Sequence, residues 1–390
     1  MPRPGAPVRL ESVASEDPRD VLRTLRHAVL GAGPAVSLGG GTDLPAEVPA
    51  GTAVVITTSG STGVPKSVAI GRNALIASAF ATAARIGEGA WLLAVPATYV
   101  AGVQVLVRAL AAGREPAVLS GAFRPEPFAA AALGMASYEN GSRVPTYTSL
   151  VPAQLQRLLD AAETDPEVTR ALRSFERILI GGQALPVSLR ERADAVGARI
   201  VRTYGSTETS GGCVYDGVPL DGVDLAIVDG EVRISGPTLA DGYVGYPDRT
   251  GEVFPRDAAG VRWYRTGDGG ELVDGVLRIT GRLDNVIVSG GVNVSLDRVE
   301  AAVRALPGME SAVVVPVDDE RWGQGSAVVV AGALGLDEQV LLARVREAVA
   351  AAVGAVARPA RVITIDALPL LTSGKPDRAA LRRRFGSARN

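Results

Sequence analysis

The chain has 390 residues, 47% apolar and 21% charged, with a formal net charge of −2. That length exceeds one ordinary core, so two or three domains are expected, and the absence of a basic tract argues against a nucleic-acid partner. One cysteine, Cys213, and one histidine, His27, leave no intramolecular disulfide, no ordinary zinc cluster and no histidine-dependent triad.

The N-terminus "MPRPGAPVRLES" lacks a charged-then-apolar leader pattern, so a cytoplasmic protein is the simplest expectation. Up to residue 50 the pattern gives one amphipathic helix, "DPRDVLRTLRHAVLGAG", and several Pro/Gly turns. His27 sits in that helix and reads as structural. "TAVVITTSGSTG" is a buried strand entering a polar loop, and "RNALIASAFATAARIG" an alanine-rich helix. The most apolar stretch, 91–113, contains Pro96 and Arg108 and reads as strand, loop and helix rather than a membrane span. "EPAVL" is a short strand. "PTYTSLVPAQLQRLLDAA" passes from strand to helix at Pro152, "FERILIGGQALP" is a strand into a loop, and "VSLRERADAVG" is a helix. "ARIVRTYGSTETSGG" is again a strand into a polar loop. This alternation predicts an α/β fold with much parallel sheet.

After residue 216 short strands with Asp-Gly turns predict a meander or small barrel. From Arg282 onward, strand and helix patterns predict a separate, small α+β domain. The expected division is therefore 1–281 and 282–390. The fold class expected is α/β: a large N-terminal domain of layered parallel sheets with helices and a small meander, followed by a small mobile C-terminal domain.

Three polar loops, "TTSGSTGVPKS", "GGQALP" and "YGSTET", follow strands, where ligands bind in open parallel sheets. The first is nearly a Walker phosphate loop, G-x-x-x-x-G-K-[ST]. Gly60, Lys66 and Ser67 keep the spacing, but Pro65 replaces the last glycine and removes a backbone donor. Its hydroxyls, backbone and lysine can still wrap a polyphosphate, as a flap rather than a rigid cradle. Of 40 basic residues only Lys66 and Lys375 are lysine, a compact point charge that arginine's planar fork does not replace. Glu208 in "YGSTET" suits Mg²⁺ when ATP phosphates supply the other ligands. Tyr204 can stack on a base, and Asp268 of "YRTGD" can accept from ribose hydroxyls or simply cap a turn.

Taken in order, "TTSGSTGVPKS", "GGQALP", "RTYGSTET", "WYRTGDGGEL", "GRLDNVIVSGGVNVS" and "LPLLTSGKPDR" resemble the adenylate-forming superfamily of acyl-CoA ligases and adenylation domains. In that superfamily the loop proline is normal. The resemblance implies ATP, Mg²⁺ and CoA as cofactor and substrates. It implies that Thr58, Ser59, Gly60, Ser61, Thr62, Gly63 and Lys66 hold the triphosphate. Gly181, Gly182, Gln183, Tyr204 and Gly205 would surround adenine, Thr207 would contact the α-phosphate, and Glu208 would bind Mg²⁺. Asp268 and Arg282 would hold the ribose. Asp284 corresponds to a hinge, Gly290 and Gly291 to a CoA tunnel, and Lys375 bridges the acyl carboxylate and the α-phosphate.

Within the superfamily, "VPATYVAGVQVLVRAL", "SLVPAQLQRLL" and "RTYGSTETSGGCVYDGVPLDGV" resemble the o-succinylbenzoate–CoA ligases of menaquinone biosynthesis, in a short form that begins later than longer relatives. The implied acyl pocket includes Tyr99, Ser149, Ser210 and Gly211. Tyr99 stands where those enzymes usually carry His. The substrate would be an aryl acid whose second carboxylate needs a charge partner that the sequence leaves unnamed. Another aryl- or acyl-CoA ligase, or a stand-alone adenylation enzyme loading a carrier protein, is the alternative. A nucleotide binder without ligase activity fits poorly, because Lys375, Glu208, Asp268 and Arg282 are all retained. The expected partners are small molecules, with a homodimer left open.

Overall fold

The computed structural model describes residues 5–386 except 16, 42, 59–64, 136–137, 140, 320–321, 333–336 and 372–374. Residue contacts divide the chain into two compact units. The first comprises 1–182, 193–226 and 233–266; the second comprises 183–192, 227–232 and 267–390. The uninterrupted part of the second unit thus starts at Gly267, ahead of the sequence-expected division at Arg282.

The first unit holds a six-stranded and a seven-stranded sheet. In the first sheet, parallel strands Val8–Ser12, Ala35–Leu38 and Thr52–Thr58 form the middle, with antiparallel strands at both margins. Strands Val8–Ser12, Ala35–Leu38 and Glu47–Val48 lie in a stretch where the sequence suggested mainly turns. Ala35, Val36 and Leu38 are buried between glycines, a run too short for a period to be legible. In the second sheet, strands Ala90–Leu93, Thr146–Leu150, Arg177–Ile180 and Ile200–Ser206 run parallel, as the alternation of strand and helix patterns predicts. Trp91 stacks on Tyr147 at 5.1 Å between ring centroids. The expected helices are present at Pro18–Val29, Arg72–Ile86, Val100–Ala111 and Pro152–Ala162. Helix Pro18–Val29 turns Val21, Leu22, Leu25 and Val29 inward, with His27 in its last turn. Helices Pro125–Leu133, Pro166–Ser174 and Pro247–Val253 were unassigned in the pattern; each starts on a proline, whose fixed φ suits the first helical position as well as a turn.

The expected Asp-Gly turns are at 216–217, 229–230 and 274–275, with both residues at positive φ in each, the geometry of tight hairpins. In the second unit, strands Trp263–Val273 and Val276–Arg282 pair antiparallel from Asp268 to Arg282. Beyond them lies a five-stranded sheet. Its strand Val313–Asp319 sends alternate residues to opposite faces. Val314 packs with Val299 and Val303 of helix Leu296–Arg304 and with Leu341 and Val345 of helix Glu338–Ala352. Val313, Val315 and Val317 pack with Leu381 of helix Arg378–Phe385. The helix that follows Lys375 is therefore anchored on the sheet face opposite the other two.

Candidate active site

The near-Walker segment connects two strands of a hairpin. Thr52–Thr58 pairs antiparallel with Lys66–Gly71, and Thr58 lies opposite Lys66. A Walker loop feeds a helix N-terminus that faces the phosphates. Here Lys66 opens a strand, and the next helix starts at Arg72. Pro65, directly before that strand, is compatible with this connection and not with the Walker one. Ser59, Gly60, Ser61, Thr62 and Gly63 lie outside the described residues. Tyr243, on the strand paired with Lys66–Gly71, brings its ring to 5.7 Å from Lys66 Nζ.

Tyr243 also reaches the third polar loop. Its hydroxyl donates to Glu208 Oε1 at 2.9 Å. Burial and then the Glu208 charge push the Tyr243 pKa up, so it stays a protonated donor. Thr207 and Glu208 sit in a short turn whose backbone is tightly held. The Ser206 N–H donates to Thr209 Oγ1 at 2.8 Å, Thr209 Oγ1 donates to the Gly211 carbonyl at 2.8 Å, and the Ala240 N–H donates to the Glu208 carbonyl at 2.8 Å. Gly205 is required here, because a Cβ would overlap the Gly211 carbonyl. Thr207 is buried at the turn. Lys66, Tyr243 and Glu208 thus gather a cation, a donor and a carboxylate. Among the described residues no three or more His, Cys, Asp or Glu side chains are grouped so that they could hold a metal ion. A lone carboxylate fits Mg²⁺, which takes few protein ligands when phosphates accompany it.

Gly181 and Gly182 follow strand Arg177–Ile180, and Tyr204 lies on the neighbouring strand, where Thr203 Oγ1 donates to the Ile180 carbonyl at 3.3 Å. Gln183 opens a segment assigned to the second unit.

The expected acyl-pocket residues are only partly brought together. Tyr99 precedes helix Val100–Ala111, accepting from the Val103 N–H at 2.9 Å. Ser210 and Gly211 lie beside that helix: a Cβ on Gly211 would stand 3.1 Å from Gln104 Cγ and 3.9 Å from Val100 Cγ2. Ser149 is buried on strand Thr146–Leu150, three positions along the sheet from strand Gly211–Tyr215. Two further residues lie on the same helix. Gln104 and Arg108 are the only polar side chains of the helix, one turn apart, and both are buried. Arg108 Nη2 donates to the Tyr215 hydroxyl at 3.3 Å and its guanidinium stands 5.0 Å from the Trp91 ring centroid. Its Nε has no partner, and no carboxylate pairs with it among the described residues. Their signal in the sequence was two polar residues four apart in an apolar helix; Arg108 was read there only as an argument against a membrane span, and Gln104 was not singled out. Tyr243 carried no comparable signal.

In the second unit, Arg282 Nη1 meets Asp268 Oδ1 at 3.2 Å, and its other nitrogens meet both Asp284 oxygens at 3.1 Å. The Arg282 hydrogen bond is the main cause holding the Asp284 carboxyl below its usual range. The Arg282 N–H donates to Asp297, which accepts from Asn285, which accepts from Arg382 at 2.8 Å. Gly290 and Gly291 form the two-residue connection between strands Val286–Ser289 and Val292–Ser295. Lys375 closes a turn through the Leu371 N–H to its carbonyl at 2.8 Å. Burial pulls its ammonium pKa down.

Residues 7–244 match the AMP-binding enzyme family, and residues 298–375 match the AMP-binding enzyme C-terminal domain. The chain belongs to the AMP-binding enzyme family. This AMP-binding enzyme is 42% identical over 342 residues to a probable 2-succinylbenzoate–CoA ligase of Mycobacterium tuberculosis, covering 85% of this chain and 84% of the relative. It is 34% identical over 284 residues to 2-succinylbenzoate–CoA ligase of Salmonella typhimurium, covering 70% of this chain and 56% of the relative. Among solved structures it is similar to a MenE variant of E. coli bound to OSB-AMS, with TM-score 0.69 and 28% identity, covering 96% of this chain and 81% of that one. The fold is thus the mixed α/β fold expected from the sequence. No helix among the described residues is long and apolar enough to cross a membrane.

Proposed function

We propose that this AMP-binding enzyme is a cytoplasmic, ATP-dependent acid–thiol ligase that converts 2-succinylbenzoate to its CoA thioester. The relatives named above support the substrate. The observation that carries the reading is Arg108, a buried cation against Trp91 and against Tyr215 of the strand that follows the Ser210–Gly211 turn, with no carboxylate partner among the described residues. A buried charge of this kind is costly unless a ligand pairs with it. A diacid supplies one carboxylate for activation and a second for Arg108.

In the first half-reaction the acid's carboxylate oxygen attacks the α-phosphorus of ATP, and pyrophosphate leaves. Thr207 contacts the α-phosphate, and Lys66, with the 58–63 loop, holds the leaving phosphates. A Mg²⁺ ion on Glu208 would neutralise phosphate charge. Asp268 and Arg282 hold the ribose, and Gly181, Gly182, Gln183, Tyr204 and Gly205 frame the base. Lys375 delivers a cation to the two approaching anions, which orients the attack and stabilises the charge of the transition state. In the second half-reaction the CoA thiol loses its proton and attacks the acyl carbon, and AMP leaves. Lys375 is then no longer needed. A small domain 282–390, hinged at Asp284, can withdraw it and bring Gly290 and Gly291 to the thiol's path.

The test is pyrophosphate release with ATP and Mg²⁺ across 2-succinylbenzoate, benzoate, salicylate and medium-chain fatty acids, with and without CoA. CoA-dependent turnover confined to 2-succinylbenzoate is expected. Preference for another acid would overturn the substrate, with Tyr99 the first residue to examine.

A further inference from the structure

Gln104 is in an unusual position for a primary amide. Its side chain is 1% exposed, and neither Nε2 nor Oε1 has a hydrogen-bond partner. Buried amides normally satisfy both ends, because a desolvated donor or acceptor left unmet is destabilising. The neighbouring Ser210 repeats the pattern. It is fully buried, and its Oγ is also without a partner, although its carbonyl accepts from Ser78 Oγ at 3.4 Å. The two flank Gly211, whose missing side chain leaves Gln104 Cγ against the strand. Gly211 thus has an unpaired buried side chain before it in the chain and another across from it on the helix.

The place is defined along the chain of contacts. Ser210 is three residues beyond Thr207, the α-phosphate end of the site. Arg108 is one helical turn beyond Gln104, about 6 Å along the axis. A ligand lying from Thr207 toward Arg108 passes Ser210 and Gln104 between its ends. Both side chains can donate, so the group that satisfies them is an uncharged acceptor in the middle of the ligand.

We propose that Gln104 and Ser210 form a carbonyl-reading subsite that receives the ketone oxygen of the acid's succinyl arm. This rests on the substrate reading above and deepens it. In 2-succinylbenzoate the ketone lies between the aliphatic carboxylate, which is activated, and the ring carboxylate, which pairs with Arg108. The Gln104 amide N–H and the Ser210 hydroxyl both donate to the ketone oxygen. Gln104 is thus a specificity-determining residue. An acid with CH₂ in place of the ketone leaves both groups unmet and is rejected, because a site built around a polar group discriminates against its absence.

The experiment compares kcat/KM for 2-succinylbenzoate and for 4-(2-carboxyphenyl)butanoate, its deoxo analogue, in the wild-type enzyme and in Gln104→Leu. The wild type should prefer the ketone by about 10²-fold. Gln104→Leu should lose most of that preference by slowing the ketone acid while leaving the deoxo acid unchanged or faster. Its urea midpoint should stay level or rise, since an unmet amide has been replaced by an apolar group of similar size. Equal loss on both acids, or a fall in the urea midpoint, would assign Gln104 to packing and overturn the proposal. So would an unchanged preference. If Gln104→Leu does not fold, Gln104→Met is held to the same outcomes. A wild type that turns over neither acid removes the substrate reading itself, whereas a wild type that uses both equally removes only the carbonyl subsite.

Discussion

Arg108 and Arg304 are both buried arginines on helices, and the protein treats them in opposite ways. Arg304 donates from Nε to the Ala312 carbonyl at 2.7 Å and pairs with Glu300 at 3.0 Å. Glu300 in turn meets Arg378 at 2.6 Å and accepts from the Val314 N–H at 2.9 Å. This cluster ties helix Leu296–Arg304 to the helix after Lys375 and leaves its carboxylate fully engaged. Arg108 has a tyrosine hydroxyl, an aromatic face and an unmet Nε. Buried charge that is compensated from within serves the fold. Buried charge that is not compensated is costly to the fold, and the proposed function gives Arg108 its missing counter-charge in the substrate.

The sharpest way to break this contrast is to remove Glu300. Glu300→Ala strands two arginines, and we expect a loss of about 3–5 kcal/mol in urea unfolding. A loss below 1 kcal/mol would mean that the cluster is not structural. Lys375→Ala separates function from framework in the same unit. Pyrophosphate release should fall by about 10²–10³-fold, with thioester formation from preformed acyl-adenylate spared. Equal loss of both half-reactions would defeat the hinge assignment, and Lys66→Ala should cost less than Lys375→Ala. Arg108→Met should behave as the mirror of Glu300→Ala. We expect kcat/KM for the diacid to fall about 10²-fold, equivalent to about 2.7 kcal/mol, while stability is unchanged or improved. Destabilisation would place Arg108 with the structural charges.

Two pH effects are smaller. Burial opposes ionisation of Glu300, but Arg304 and Arg378 outweigh it and hold its carboxyl below the usual range. Its contribution to stability is therefore complete above the ordinary carboxylate pKa and lost as pH falls through the lower folded one. The gap between wild type and Glu300→Gln should close in that acid window. For Lys375, burial lowers the folded pKa. Between that value and the ordinary one the unfolded chain holds the proton more tightly, so stability rises with pH there. Adenylation should decline on the alkaline side over the same window, while the thioester half-reaction does not.

The ends of the parallel strands were legible, because buried strands break abruptly into polar loops. Thr207 and Glu208 were placed at a strand end this way, Lys66 by its spacing and the scarcity of lysine, and the Asp-Gly turns by their turn chemistry. The Glu208–Tyr243 hydrogen bond was not legible, because its partners are 35 residues apart, one in a turn between strands of the seven-stranded sheet and the other on a strand of the six-stranded sheet. Gln104 and Arg108 were visible as polar interruptions of an apolar helix, but periodicity does not say whether such residues face water or a buried seam. Prolines at 125, 166 and 247 punctuate equally well as turns or as helix starts, and only the surrounding packing decides.

The two lysines have a practical consequence. One stands at the foot of the hairpin and the other closes the turn before the last helix, and every other basic side chain is arginine or the lone histidine. Apart from the N-terminal amine, an amine-directed reagent therefore reports on those two turns alone. Under the proposed function, differential labelling read by mass spectrometry would follow nucleotide loading at Lys66 and domain rearrangement at Lys375, in the unmodified sequence and without an engineered probe.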